Sequence, residues 1–230
     1  MPIADCRLPT LALLSFATAA FAQETPAPTP SPSPLPTVTP AATRSVRISF
    51  LPPPLEGTIS LGIYDSGGKL MRILHQEAEL DEFTVGADAL VTKWDGKNDD
   101  GEDLPRGKYR ARGFLVGQLK LENLGKANAP PPDDSTSVQV KLVANPLAND
   151  ARTIVDLGVG FDDENSFLKT MDGLPLYTIS QSTNLTRALI TKNGEKSVDV
   201  WQDDGASIEQ IRVSNIDKMM AFDCGEFELK

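Results

Sequence analysis

The chain has 230 residues, a formal net charge of −10, a single histidine and two cysteines. An acid excess of this size excludes a phosphate-backbone partner, which needs a basic face. It fits a soluble exported protein without naming what that protein meets. Met1 to Ala22 reads as a signal peptide: Arg7 precedes the apolar stretch Leu8 to Phe16, which is too short to span a membrane, and Ala20-Phe21-Ala22 fits the small-x-small cleavage rule. Gln23 is then the mature N-terminus, and no transmembrane segment is expected after cleavage. The cut removes one acid, Asp5, and one base, Arg7, so the net charge stays at −10. Cys6 lies before the apolar core, where a lipoprotein-type cysteine does not, and Cys224 is left alone with no intramolecular disulfide to form.

Residues 23–43 are mostly Thr, Ser, Ala and Pro, with proline at alternate positions from Pro26 to Pro36. Such a tract has little to bury against the entropy of ordering, and reads as a disordered, semi-rigid spacer. Past it, strand signals dominate. Val46 to Leu51, Thr58 to Tyr64, Leu70 to Leu74, Tyr109 to Val116 and Ser137 to Val143 read as strands of one sandwich over residues 44–143. Pro52-Pro53-Pro54 ends the first, and Pro130-Pro131-Pro132-Asp133-Asp134 is a second, shorter spacer. No segment sustains helical periodicity.

The stretch Trp94 to Tyr109 punctuates this region. Asp95-Gly96 and Asp100-Gly101 are pairs that turn a chain at positive φ, Leu104-Pro105 is extended, and Gly107 opens the following strand. The reading is a tight hairpin region anchored by burial of Trp94 and Tyr109. With Ile63-Tyr64-Asp65, Gly68-Lys69 and Arg72-Ile73-Leu74 upstream, the run Trp94-Asp95-Gly96, Asp99-Asp100-Gly101, Leu104-Pro105-Arg106-Gly107-Lys108-Tyr109 resembles the immunoglobulin-like domain of the flagellar hook-capping family, found in many bacterial envelope proteins. The resemblance covers about Arg44 to Gly117, with an insert from His75 to Val91, and implies an immunoglobulin-like β-sandwich. It implies no activity, since one fold serves many functions. Its residues Tyr64, Asp65, Gly68, Trp94, Asp95, Gly96, Gly101, Pro105, Gly107 and Tyr109 are a fold motif.

Residues 150–230 read as an antiparallel β-meander resembling a propeller blade: Thr153 to Gly160, Ser166 to Met171, Leu176 to Gln181, Thr186 to Thr191, Ser197 to Gln202 and Ser207 to Val213, with turn formers between them. Ile211, Val213, Ile216, Met219, Met220 and Phe222 form a dense apolar tail. One sheet leaves a face uncovered. Either the first domain covers it, or further repeats or a second copy do, which leaves self-association through the C-terminal sheet open.

Chemistry is sparse. His75 lies in the polar run His75-Gln76-Glu77 and reads as an exposed loop residue; Cys224 reads as a buried apolar side chain. Asp95 to Gly101 fails the calcium-loop register, because Gly96 stands where the first carboxylate ligand belongs. Asp162-Asp163-Glu164 reads as a turn as well. No catalytic, metal or cofactor-binding residue is nominated, and no cofactor is called for. The expected protein is a non-catalytic exported envelope or surface protein for scaffolding, adhesion or protein–protein interaction, with a protein or glycan partner and no nucleic acid. The alternative is an accessory or truncated part of a secreted propeller enzyme or carbohydrate-binding protein. A cleaved signal peptide argues against hook assembly itself, since hook components leave through the flagellar apparatus.

Overall fold

The computed structural model describes residues 44–131, 136–147 and 150–230. Residues 1–22, expected to be a signal peptide, residues 23–43, expected to be a linker, and part of the expected second proline spacer lie outside them. The described chain is all-β. The first elements are β1 (Val46–Phe50), β2 (Thr58–Asp65), β3 (Leu70–Ala78), a single 3₁₀ turn at Leu80–Glu82, β4 (Thr84–Val85), β5 (Leu90–Trp94), β6 (Gly107–Val116), β7 (Lys120–Ala127) and β8 (Ser137–Lys141). There follow β9 (Ile154–Phe161), β10 (Asn165–Thr170), β11 (Pro175–Gln181), β12 (Arg187–Asn193), β13 (Ser197–Asp203), β14 (Ile208–Ser214) and β15 (Met219–Leu229).

These strands form four antiparallel sheets. Sheet I has the order β1-β5-β4 and sheet II the order β15-β6-β2-β3; sheet III is β11-β10-β9-β8 and sheet IV is β12-β13-β14-β7. Sheets I and II enclose an aromatic core of Phe50, Phe83, Trp94, Tyr109 and Phe222 with Ile48, Ile59, Leu61 and Ile63. Sheets III and IV enclose an aliphatic one, including Val155, Leu157, Leu168, Leu176, Ile190, Val198, Val200 and Val213. Local pattern explains each assignment. In β1, Ile48 and Phe50 are buried while Arg47 and Ser49 are exposed, the period of a strand with one covered face. In β2, every residue from Ile59 to Tyr64 is buried, because sheet II is covered on both faces. Ile59, Leu61 and Ile63 enter the aromatic core, while Phe114 and Val116 of β6 and Met219 and Ala221 of β15 enter the aliphatic one.

The division of the chain at residues 143–150 does not follow the sheets. β7 and β8 belong to sheets IV and III, and β15 returns to pair with β6 in sheet II. The physical reason is a ribbon. β6 runs on into β7 and β14 runs on into β15, so one two-stranded antiparallel ladder extends from Gly107↔Leu229 to Ala127↔Ile208. It bends where Gly117 N donates to Lys218 O at 2.7 Å and Lys218 N to Asn215 O at 2.9 Å. At the bend Asn215 takes a φ of 67°, a left-handed conformation that Asn tolerates. The expected apolar tail is therefore one arm of this ribbon: Ile211 and Val213 lie in β14, Ile216 in the bend, and Met219, Met220 and Phe222 in β15, the edge strand that pairs with β6.

Two further expectations are corrected. The region 150–230 does hold meanders, β9 to β11, which β8 extends, and β12 to β14. The chain crosses between β11 and β12, however, so the two meanders face each other over one core, which Phe114, Val116, Val138 and Val140 of the preceding region help to fill. Trp94 to Tyr109 contains a small hairpin, with Lys97 bridged to Asp103. Yet β5 and β6 on either side of it lie in different sheets, so the stretch is the crossing from sheet I to sheet II. The insert His75 to Val91 supplies the end of β3, the 3₁₀ turn, β4 and the start of β5.

Candidate functional site

Each residue of the motif builds this crossing or a turn beside it. Trp94 is 1% exposed; its ring meets Tyr109 edge-on at 5.1 Å, and its indole N–H donates to Lys97 O at 2.9 Å. Tyr109 Oη–H donates to Pro105 O at 2.8 Å, a tyrosine corner that ties the start of a strand to the segment crossing into it. Gly96 sits at a φ of 80°, and a Cβ there would stand 3.0 Å from Leu229 of β15. Asp95 Oδ1 accepts from Lys97 N at 3.1 Å, and Gly101 closes the small hairpin at a φ of 80°. Gly107 opens β6. In the β2–β3 turn, Asp65 Oδ1 accepts from Gly67 N and Lys69 N, both at 2.9 Å, while Gly68 takes a φ of 82°. Tyr64 lies on the other face of sheet II, with the Arg112 guanidinium 4.1 Å from its ring centroid. Its hydroxyl has no hydrogen-bond partner of good geometry among the described residues, and burial together with Asp172 holds it well above the usual tyrosine range, against the Arg112 guanidinium. The motif is thus brought together as structure around the crossing, and Tyr64, Asp65 and Gly68 stand at the same end of sheet II, where Asp65 pairs with Tyr109.

His75 departs from its expected place. It lies in β3, half-buried, with Nε2 2.7 Å from Thr92 Oγ1 of sheet I and its ring 4.5 Å from that of Phe83. Burial lowers its pKa, against a smaller opposing pull from Glu82. The polar look of His75-Gln76-Glu77 concealed this, because only Gln76 is exposed there. Glu77, with a φ of 48°, reaches across to the second sandwich, where its Oε1 accepts from Thr178 N at 2.8 Å and from the Thr178 hydroxyl. Burial pushes the Cys224 thiol far up, which leaves little thiolate to react.

The acidic turns hold their own backbones. Asp162 Oδ1 accepts from Glu164 N and Asn165 N at 2.9 and 2.7 Å, bonds that lower its pKa. Asp99 accepts from Ile73 N at 3.0 Å. Among the described residues no group of three or more His, Cys, Asp and Glu is placed to hold a metal ion. No helix among them is long and apolar enough to cross a membrane.

The site to which both sandwiches contribute is a groove of about 830 Å³ at the bend of the ribbon. Its floor is Val116 to Leu119 with Gly57 and Thr58 from the start of β2, one wall is Glu79 to Asp81, and Tyr177 of β11 closes it from the second sandwich. Glycine makes the floor feasible: a Cβ at Gly57 would lie 2.0 Å from Val116 O, and one at Gly117 would lie 3.0 Å from Lys218 O. The 3₁₀ turn is tied by Glu79 N donating to Glu82 Oε1 at 2.8 Å, and it holds Leu80 at the mouth, 42% exposed. Glu56, Glu79 and Asp81 give the rim a negative field, with no lysine, arginine or histidine in the lining. Thr58 Oγ1 is buried without a partner among the described residues. Sequence reasoning missed the groove because its lining is drawn from separate stretches spread between Glu56 and Tyr177. The arrangement offers apolar contact and carboxylates to a ligand, and no histidine or cysteine for general-base or nucleophilic work.

No family model matches this chain, and neither a curated protein nor a solved structure matches it.

Proposed function

We propose that this is a non-catalytic exported protein of the bacterial envelope or surface, a two-sandwich scaffold that offers the groove at its ribbon bend to a partner protein. The observation that carries the reading is the continuous ladder β6–β7 against β15–β14. A ladder shared by both sandwiches fixes the separation of the groove walls, and a pre-formed concave site lowers the cost of ordering on binding. The lining supplies apolar contact and the negative charge of Glu56, Glu79 and Asp81. The immunoglobulin-like reading of the first sandwich is supported by the corner from Tyr109 to Pro105 and by the buried Trp94. Export rests on the sequence of Met1 to Ala22.

The test is site-specific photo-crosslinking in the cells that make the protein. A photoreactive side chain at Leu80 is expected to give one discrete adduct in the envelope fraction, lost when Glu56 and Asp81 are both changed to Lys. The same group at Arg106 is expected to give none. An adduct that ignores the charge reversal, or none at Leu80, removes the groove from consideration. Intact mass of the cellular protein, expected to begin at Gln23, checks export separately.

A further inference from the structure

The outward face of sheet IV is a second site, remote from the groove in its chemistry, and we propose that it binds an uncharged polysaccharide. Val198 and Val200 point into the aliphatic core, so Asp199 and Trp201 point out. The ladder sets Thr191 and Arg212 on either side of Asp199, and Leu189 and Gln210 on either side of Trp201.

These side chains are held, not loose. Asp199 is 8% exposed. Its carboxylate accepts from Arg212 Nε at 2.8 Å and Nη2 at 3.1 Å, from Asn193 Nδ2 at 3.0 Å and from Gln210 Nε2 at 3.0 Å. The indole N–H of Trp201 donates to Thr191 Oγ1 at 3.2 Å, which fixes the plane of a half-exposed ring. Asn193 and Gln210 each keep a carbonyl oxygen and a second N–H beyond these bonds, and the guanidinium keeps donors. A fixed aromatic surface beside donors and acceptors matches the two chemistries of a sugar ring: an apolar C–H face and a rim of hydroxyls that both give and accept. Because the rotamers are already set, binding orders little more of the protein.

Charge selects the class. On this face Lys120, Arg187 and Arg212 balance Glu122, Asp199 and Asp203, although the whole chain carries −10. A balanced face complements an uncharged polymer and gives neither a polyanion nor a basic peptide a net attraction. Gly125, opposite Gln210, has nothing within 4 Å of where a Cβ would stand. The sheet is therefore open beside Gln210, and a chain can lie across the strands.

The test is native electrophoresis of the mature chain in gels cast separately with mixed-linkage β-glucan, xylan, galactomannan and dextran, with intrinsic fluorescence as a second readout. Retardation by at least one polysaccharide is expected. Trp201→Ala should weaken it about tenfold or more, as removal of a central aromatic contact does. Gln210→Ala, which leaves the indole in place, should weaken it about three- to tenfold. Arg106→Ala, far from this face, should bind as the parent does. Thermal melts of each variant separate lost binding from lost fold, and Gln210→Ala decides if Trp201→Ala does not fold. Mobility in all four gels equal to that of a non-binding reference, or retardation that both variants keep, overturns the proposal.

Discussion

The two sandwiches are built by opposite means. The second is assembled mainly from neighbours: β8 to β11 and β12 to β14 pair in chain order, as across Asn193-Gly194 with Gly194 at a φ of 73°, and only β7 joins from afar. The first, apart from the pairs β2-β3 and β4-β5, is assembled from strangers. β1 pairs β5, β2 pairs β6, and β15 arrives from the far end of the chain to pair β6. The cores differ in kind as well. Phe50 stacks on Phe222 at 5.0 Å and meets Phe83 edge-on at 5.5 Å, so the first core rests on a few large rings drawn from distant strands. Many aliphatic side chains fill the second, with a buried polar link in which Gln202 Nε2 donates to Ser166 Oγ and, at 3.0 Å, to Ser180 Oγ. Non-local closure makes the first sandwich depend on the second being made.

The sharpest way to break this comparison is to remove β15. A chain ending at Ser214 loses Met219 and Ala221 from one core and Phe222 and Leu229 from the other, and it exposes the edge of β6. Both sandwiches are expected to lose their fold, read as loss of near-ultraviolet dichroism and of any cooperative urea transition. Survival of a cooperative transition in the truncated chain would show that the ribbon does not couple the sandwiches.

Next in size is Trp94→Ala, expected to cost about 3–5 kcal/mol as a large buried aromatic. Arg106→Ala on the exposed turn should stay within about 0.5 kcal/mol. If the ribbon couples the halves, the loss at Trp94 appears in one transition, with fluorescence and far-ultraviolet dichroism coincident. Two separated transitions would assign the sandwiches independent stability. Within the second core, Gln202→Ala should cost about 1–3 kcal/mol, through loss of the amide's bonds to Ser166 and Ser180 at a buried site. A change near zero in urea melts would mean that water replaces the amide.

How far the sequence discloses this fold follows from the same contrast. Turn chemistry is local, so Asp65 to Gly68, Asp172-Gly173, Asn193-Gly194 and Asp203 to Gly205 announce their hairpins, and most strands are legible between them. The burial of Trp94 and Tyr109 is legible too, since two aromatics flank one turn-rich run. Sheet membership is not local. Nothing in Met219 to Leu229 says that its partner is β6, and a strand covered on both faces reads as a generic apolar tail. Lys120 to Ala127 is exposed at nearly every position because it is an edge, and its leucines, Leu121 and Leu124, do not alternate, so it leaves no strand period to detect. The groove inherits this opacity. The outward face of sheet IV was half visible, in that Trp201 and Asp199 stand in a plain strand pattern, but Arg212 and Asn193 join them only through register.

The smallest expected effect sharpens the comparison, because the only histidine belongs to the first sandwich. Burial lowers the pKa of His75 from 6.5, with Glu82 opposing. The unfolded chain therefore takes up this proton before the folded one does. Stability is highest above pH 6.5, falls as pH drops from there through the lower folded pKa, and then levels off for this residue. Protonation also obliges Nε2 to act as a donor to Thr92 Oγ1, which the neutral ring need not do. His75→Gln should flatten the dependence of the urea midpoint on pH between about 5 and 7, while the carboxylates titrate lower. With Trp201→Phe in the background, Trp94 reports alone on the first sandwich, and dichroism reports on both. If the ribbon couples them, the same slope appears in the two signals. A slope that persists without His75 would place its origin elsewhere, and a slope seen by Trp94 alone would show the first sandwich opening without the second.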